Sequence, residues 1–280
     1  MVLSAEARER IAAVSFDPEA IAKQPVEACN LCGESEFETV AEEDRYGFPL
    51  TADRCARCGL VFLNPMPTAE AYADFYRHVY RPLVSAYHGR TIDAETVERD
   101  QVEYAEELVA ALEPFLADGP RSTLLDVGGS TGLVAEAVAR RFGLAATVLD
   151  PAPDEAERAA ARGLETVVGT IEAYDPGERR FDVVLLCQTI DHLLDVAGSL
   201  AKLRHLIAED GLLFVDIVDF RVPWRRTGNV ADAIKVDHPY SLTPATAEAF
   251  LARAGFRPLH VERAADGLHV SYVCEPGELS

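Results

Sequence analysis

Four of the six cysteines form two Cys-x-x-Cys-Gly units with about 22 residues between them. Two thiolates at this spacing can reach one metal ion, and the glycine permits the tight turn. Four thiolates complete a tetrahedron with no position left for water, so the pattern predicts a structural zinc ion rather than a catalytic one. Two disulfides, a redox pair, or iron on the same sulfurs are the alternatives. The predicted ligands are Cys29, Cys32, Cys55 and Cys58.

A second candidate site is the stretch Leu-Leu-Asp-Val-Gly-Gly-Ser-Thr-Gly at residues 124–132. An apolar strand, a glycine turn and a helix in this order are typical of a nucleotide-binding α/β unit. Gly128, Gly129 and Gly132 let the backbone approach a ligand, and the helix that follows offers free N–H groups. Asp126 ends the strand, where a carboxylate would repel a diphosphate. The turn therefore favours a cationic or amine-bearing ligand.

Another carboxylate, Asp150, ends the next predicted strand (residues 145–149), about 20 residues beyond the glycine turn. In nucleotide-binding folds an acid at this position accepts hydrogen bonds from ribose hydroxyls. The alternative is a strand-end turn before Pro151. The spacing favours the ribose contact.

Asp191 and His192 follow an apolar strand predicted at residues 181–187. Ligands of open α/β sheets bind beyond the carboxyl ends of the central strands, so both side chains are expected to face the site. The pKa of histidine lies near neutrality, and His192 is therefore our first candidate for a general base. A structural histidine that caps the next helix is the alternative.

The connection over residues 219–240 is predicted to be irregular and to overhang the site. It holds three arginines in an otherwise acidic chain, and these could bind a phosphate or carboxylate of a substrate. A solvated basic turn is the alternative. His238 and Tyr240 are second candidates for acid–base groups. The arginines are Arg221, Arg225 and Arg226.

Composition restricts the possible partners. The formal net charge of -21 over 280 residues argues against extended contact with nucleic acid, which requires a basic surface. No stretch approaches 18 uninterrupted apolar residues, so no membrane span is expected. The first ten residues lack the basic-then-apolar order of a signal peptide, and we expect a cytoplasmic protein. The oligomeric state does not follow from the sequence.

The elements that position these groups divide the chain into four parts. Residues 1–28 are predicted to form an extension and residues 29–65 a small zinc-binding ribbon with four cysteine ligands. Residues 66–120 read as a helical linker that could cover a cofactor, with helices at 68–80 and 95–116. Residues 121–280 alternate strand and helix and end in a strand pair at 256–261 and 268–274.

The Asp-x-Gly-x-x-x-Gly spacing of the turn resembles the first motif of class I S-adenosylmethionine (SAM) methyltransferases, with Ser130 in place of the middle glycine. The resemblance covers roughly residues 100–275. It implies an α/β fold with a Rossmann-like seven-stranded sheet and a terminal antiparallel hairpin, and a cofactor whose ammonium and sulfonium suit Asp126. By position it implies a further set of cofactor contacts: Gly128, Gly129, Ser130, Gly132, Asp150, Thr170, Ile171 and Gln188.

The stretch Gln188-x-x-Asp191-His192 is similar to a Glu-x-x-Glu-His pattern that binds magnesium in ubiquinone-type O-methyltransferases. The first acid is missing here, which leaves a second divalent metal open. With the cysteine ribbon, the chain also resembles bacterial C- or O-methyltransferases that modify sugars. That resemblance implies a small-molecule acceptor, a nucleotide-linked sugar or sugar-containing natural product, and in-line methyl transfer.

The expected catalytic groups are His192 or His238 as the base, Asp191 beside them, and Tyr240 as an oxyanion stabiliser if carbon is methylated. Two other classes of protein remain as alternatives. One is an RNA methyltransferase that reads RNA with the ribbon, and the other is a binding protein that keeps the fold without turnover. A NAD-dependent enzyme is disfavoured by Asp126 and by the absence of Gly-x-Gly-x-x-Gly.

Overall fold

A computed structural model of the chain describes residues 3–117 and 121–277. The N-terminal part begins with a helix that Ser4 caps through its hydroxyl, which accepts from the amide of Ala7. Short strands follow, and the predicted ribbon strands are present. The elements are α1 (Ala5–Ala12), β1 (Lys23–Gln24), β2 (Phe37–Glu43), β3 (Pro49–Cys55), β4 (Val61–Leu63) and β5 (Met66–Pro67).

Three helices connect this part to the large sheet. The first begins after Thr68, whose hydroxyl caps it as the sequence predicts, and the third is capped by Asp93. Between them lies a helix that the sequence did not predict. The helices are α2 (Ala69–His78), α3 (Tyr80–His88) and α4 (Ala94–Leu116). The predicted end of the linker at residue 120 lies outside the described residues.

The large sheet confirms the predicted fold class. Its seven strands run in the order β12-β13-β10-β9-β6-β7-β8, the last five of these parallel, with β12 and β13 as an antiparallel pair. Its strands and helices are β6 (Thr123–Val127), α5 (Leu133–Phe142), β7 (Ala145–Asp150), α6 (Pro153–Ala161), β8 (Glu165–Val168), β9 (Phe181–Leu186), α7 (Val196–Leu206), β10 (Ile207–Val218), α8 (Arg221–Thr227), β11 (Tyr240–Ser241), α9 (Pro244–Arg253), β12 (Phe256–Arg263) and β13 (His269–Pro276).

Side chains of the central strands are buried on both faces, as expected for parallel strands covered by helices. Leu124, Val183 and Leu185 join the cluster that α4 and α5 complete. Leu125 and Val184, one residue along their strands, join the larger cluster on the opposite face. Strands β6 and β9 are neighbours in the sheet, so their carboxyl ends lie side by side, at the point where the strand order reverses.

The connection from residue 219 to 240 is more regular than the sequence predicted. It contains α8 and a short 3-10 turn at Val230–Ala233, and it ends as β11. Strand β11 pairs with β4, opposing Tyr240 to Phe62, so the cysteine-bearing sheet has the order β11-β4-β3-β2. The two sheets are thus joined through this connection. Among the described residues, no helix is long and apolar enough to cross a membrane.

Candidate active site

The glycine turn after β6 is tight for two separate reasons. Gly128 and Gly132 have φ values of 72° and 75°, and Ser130 has a φ of 50°. This left-handed region costs a side chain about 1–2 kcal/mol, so Ser130 stands where glycine would be unstrained. Gly129 is needed for space, because a Cβ there would lie 2.6 Å from Asp126 Oδ2. Strain of this kind is often found at binding sites.

Asp126 lies completely buried beneath this turn. Neither of its carboxylate oxygens has a hydrogen-bond partner within the protein. Burial, and then the nearby charge of Asp150, raise the pKa of Asp126 to about 7. A buried acid without a donor is costly, so an amine or a water that reached these oxygens would be bound favourably.

Asp150 ends β7 and closes the turn from the other side. Its Oδ2 accepts from the amide of Ser130 at 2.8 Å, and its Oδ1 accepts from the amide of Ala152 at 2.8 Å. Burial raises its pKa to about 6. The Ser130 hydroxyl donates to Glu155, which pairs with Arg81 of α3 at 2.8 Å. Helix α3 therefore reaches the edge of the turn.

The remaining predicted cofactor residues lie on neighbouring loops at the same edge of the sheet. Thr170 and Ile171 follow β8, and Ile171 is buried. Gln188 follows β9 with a φ of 51°, and its amide donates to the carboxylate of Asp216. Together with the partnerless oxygens of Asp126 and the glycine turn above them, these groups fit an amine-bearing nucleoside such as SAM.

The predicted acid–base residues Asp191, His192 and His238 are brought together. His238 Nδ1 lies 2.8 Å from an oxygen of Asp191, and the two imidazole rings are 4.4 Å apart. The positive charges of His238 and then His192 hold the pKa of Asp191 well below its usual range, against the effect of burial. Asp191 is therefore ionised and orients His238 through its Nδ1–H.

The other imidazole, His192, is held by different groups. Its Nδ1 lies 2.9 Å from the carbonyl oxygen of Asp237 and 2.5 Å from the hydroxyl of Tyr76. Because a carbonyl can only accept, the proton is assigned to Nδ1 and Nε2 keeps its lone pair. Burial, and then the charge of His238, lower the pKa of His192. The ring is thus neutral near pH 7 and can accept a proton at Nε2.

Several residues of this acid–base cluster were not predicted from the sequence. Lys235 Nζ lies 3.1 Å from His238 Nε2, and an Asp237 oxygen lies 3.4 Å from the same nitrogen. Tyr72 donates to the Asp237 carbonyl at 2.7 Å, although an aromatic stripe such as that of α2 is more typical of packing. The signal that could have found the first two is the charged run Lys-Val-Asp-His at 235–238, which contains or adjoins the predicted second acid–base candidates.

Tyr240 and two of the three arginines of the connection are engaged by other groups of the protein. The Tyr240 hydroxyl donates to the carbonyl oxygen of Leu194 at 3.0 Å, because β11 turns this side chain into the cysteine-bearing sheet. Arg221 is engaged by Asp219 at 2.8 Å, and Arg226 donates to the Asp266 carbonyl. Tyr240 is therefore buried, and its hydroxyl proton is engaged by a backbone carbonyl two residues after His192.

Within residues 3–117 and 121–277, two groups of side chains could hold a metal ion. The sulfurs of Cys29, Cys32, Cys55 and Cys58 all lie within 4.8 Å of one another, and Gly33 and Gly59 form the predicted turns with φ values of 75° and 74°. These four thiols fit a tetrahedral zinc ion. The second group is His192, Asp237 and His238, also within 4.8 Å, with the Lys235 ammonium against it.

Comparison with known proteins agrees with this geometry. The methyltransferase-domain family matches residues 98–261, which is more than half of the chain. A ubiquinone biosynthesis O-methyltransferase of Methylocella silvestris is 36% identical over 97 residues, covering 32% of this chain and 38% of that protein. An uncharacterized protein of Mycobacterium tuberculosis is 31% identical over 156 residues, covering 53% and 51%. The matches thus span about half or less of these relatives.

Solved structures share the fold at low identity. The 1,6-didemethyltoxoflavin-N1-methyltransferase of Burkholderia thailandensis, with bound S-adenosylhomocysteine, superposes with a TM-score of 0.56 at 19% identity, over 80% of this chain and 98% of that one. A mitomycin 7-O-methyltransferase gives 0.57 at 20% identity, over 74% and 60%. With the family match and the glycine turn, these likenesses show that the chain belongs to the family of SAM-dependent methyltransferases.

Proposed function

We propose that this protein transfers the methyl group of SAM to a small-molecule acceptor, with His192 as the general base. The observation that carries the proposal is the juxtaposition of two loops. The Gly128 backbone and the Thr189 side chain are in contact, since a Cβ on Gly128 would lie 2.7 Å from Thr189. The glycine turn and the loop that carries His192 therefore form one site.

Different residues of the site would bind the cofactor and accept the proton. When bound, SAM supplies an activated methyl group and its own leaving group. Asp126 would receive the ammonium and Asp150 the ribose hydroxyls, so the methionine part and the ribose on either side of the sulfonium would both be held. His192 Nε2 would take the acceptor proton, and the pair of Asp191 and His238 would stabilise the positive charge that forms on it.

The acceptor is proposed by class. O-methylation agrees with the matched relatives, and the cysteine ribbon makes a nucleotide-linked sugar the first candidate for an acceptor screen. We also propose that the ribbon holds a structural zinc ion. Binding of RNA is disfavoured by the net charge of -21. A cytoplasmic location stays our expectation.

Calorimetric titration of SAM and S-adenosylhomocysteine (SAH) into the purified protein tests the cofactor. We expect Asp150→Ala to weaken SAM binding about tenfold or more, because hydrogen bonds to a charged group contribute ~1.5–3 kcal/mol. Asp154→Ala removes an exposed carboxylate four residues away on α6 and is the matched control, expected to bind normally. Equal loss in both variants, or no binding by folded wild type, would contradict the proposal.

A further inference from the structure

Lys235 is a charged group of the acid–base cluster without an assigned task. Its ammonium lies 3.1 Å from His238 Nε2, while His238 Nδ1 lies 2.8 Å from Asp191. With Nδ1–H donating to the carboxylate, Nε2 can accept from the ammonium. Asp191, His238 and Lys235 thus form a chain of hydrogen bonds that ends in a cation.

Burial separates the members that can touch a ligand from those that cannot. Asp191 and Asp237 are 4% and 3% exposed and His238 is 9% exposed, so these three lie behind the surface. His192 and Lys235 are half-buried. His192 and Lys235 are therefore the members that retain some exposed surface, through which a molecule could reach the cluster.

Aromatic rings stand beside these two groups. Tyr76 and Tyr80 of the linker helices are half-buried, with ring centroids 5.9 Å and 6.5 Å from that of His192. Two tyrosines whose rings meet at 4.9 Å offer apolar surface for a flat molecule. The surroundings thus suit an acceptor with a planar ring or enol and an oxygen that points toward Lys235.

We propose that Lys235 is a substrate-contacting residue that binds the acceptor oxygen as negative charge develops on it. This inference rests on the proposed function. It excludes an ordinary sugar hydroxyl and narrows the acceptor of the proposed function to molecules with an acidic oxygen, a phenol or an enol, the enol of a keto sugar included. The reason is that a fixed cation stabilises charge on oxygen and does little for a neutral hydroxyl. Lys235 fills the role expected of Tyr240, whose hydroxyl is engaged by Leu194.

The proposed step moves one proton and one methyl group. The acceptor O–H proton moves to Nε2 of His192, and the oxygen, held by the Lys235 ammonium, uses its electron pair to form the new bond to the methyl carbon. The bond between sulfur and methyl breaks, and its electron pair stays on sulfur as the thioether of SAH. For an enol the electron pair of its carbon can form the bond instead. The cationic sulfonium is consumed and one imidazolium appears.

The probe for this proposal is 4-nitrophenol, whose phenolate is yellow and whose neutral form is not. Zinc-loaded protein is saturated with SAH and titrated with 4-nitrophenol at a pH where the free phenol is mostly neutral. We expect the wild type to bind the yellow phenolate. In Lys235→Met we expect phenolate affinity to fall about tenfold or more, with bound probe turning colourless.

Three variants give the controls. Lys235→Arg keeps the charge and is expected to keep the yellow form. Lys202→Met removes an exposed ammonium that donates to the Glu172 carbonyl and is expected to match the wild type. Lys235→Gln removes the charge while keeping a donor, and serves as a second neutral variant should methionine impair folding.

SAH affinity, measured on the same samples, separates the two proposals. Loss of SAH binding in folded wild type contradicts the proposed function. Normal SAH binding with unchanged yellow phenolate in both neutral Lys235 variants overturns the role of Lys235 alone. Wild type that binds only neutral phenol, or none, while it binds SAH also overturns it.

Discussion

Asp126 is a carboxylic acid that the fold buries completely and leaves without a hydrogen-bond donor. Ionising it without a ligand is unfavourable, which is why its pKa rises to about 7. A cationic group would reverse this balance by favouring the carboxylate. Asp126 therefore lowers the stability of the free protein when it ionises, and it provides a binding group for an amine.

The raised pKa of Asp126 predicts how the stability of the free protein depends on pH. The pKa of Asp126 is above its unfolded value of about 3.9, so its contribution to stability is present below pH ~4 and is lost as the pH rises to ~7. Over the same range His88 and His192, whose pKa values are lowered, act in the opposite direction. We expect the carboxyl groups to outweigh them, so that the free protein melts at a lower temperature at pH 7.5 than at pH 5.5, in thermal melts at constant ionic strength.

Asp126→Asn isolates this residue, since Asp44, Asp150 and Asp216 also have raised pKa values and act in the same direction. The variant cannot ionise, and we expect its melting temperature to fall less over this pH range than that of the wild type. Identical pH profiles for the two proteins would show that Asp126 is not the group responsible.

At the scale of elements, the sequence predicted the strands of the large sheet and, through the family resemblance, their number and the terminal antiparallel pair. Their signals are local: an apolar run at 181–187, a capping threonine at 68, a glycine turn at 128–132. The acid–base cluster could be predicted only in part. Lys235 and Asp237 share one loop and Tyr76 lies on a helix, and neither periodicity nor spacing relates a helix at 69–78 to a loop at 235–238. Tertiary structure alone brings them together.

Gly129 of the glycine turn and Gly169 after β8 differ in the space available to an added Cβ. A Cβ at Gly129 would meet Asp126 Oδ2 at 2.6 Å, whereas one at Gly169 would find its nearest neighbour, Leu149 Cδ1, at 4.0 Å. Neither glycine has a positive φ. We expect Gly129→Ala to destabilise the protein by ~1–3 kcal/mol and Gly169→Ala to have little effect, measured by denaturant unfolding. Equal tolerance at both positions would mean that the turn is looser than its geometry implies.

At the scale of the whole molecule, the cysteine-bearing sheet and the methyltransferase sheet share one connection. Strand β11 lies two residues after His238 and pairs with β4, and the Leu63 amide donates to the Pro239 carbonyl at 2.9 Å. Strand β4 itself begins three residues after Cys58. Any group that orders the cysteines should therefore also order the backbone beside His238.

This arrangement predicts a local effect of zinc removal. With the ion extracted by a chelator, or in Cys32→Ser, we expect faster hydrogen exchange at the amides of β4 and β11, because four thiols without an ion no longer fix the turns that flank β4. Exchange in β6 and SAH affinity should change little, since Asp126 and Asp150 lie in the other sheet. Cys274→Ala, a buried thiol outside the cluster, is the control. Unchanged exchange at β4 and β11 after measured zinc loss would contradict this prediction. Faster exchange to the same extent in both sheets would instead show that the whole fold requires zinc.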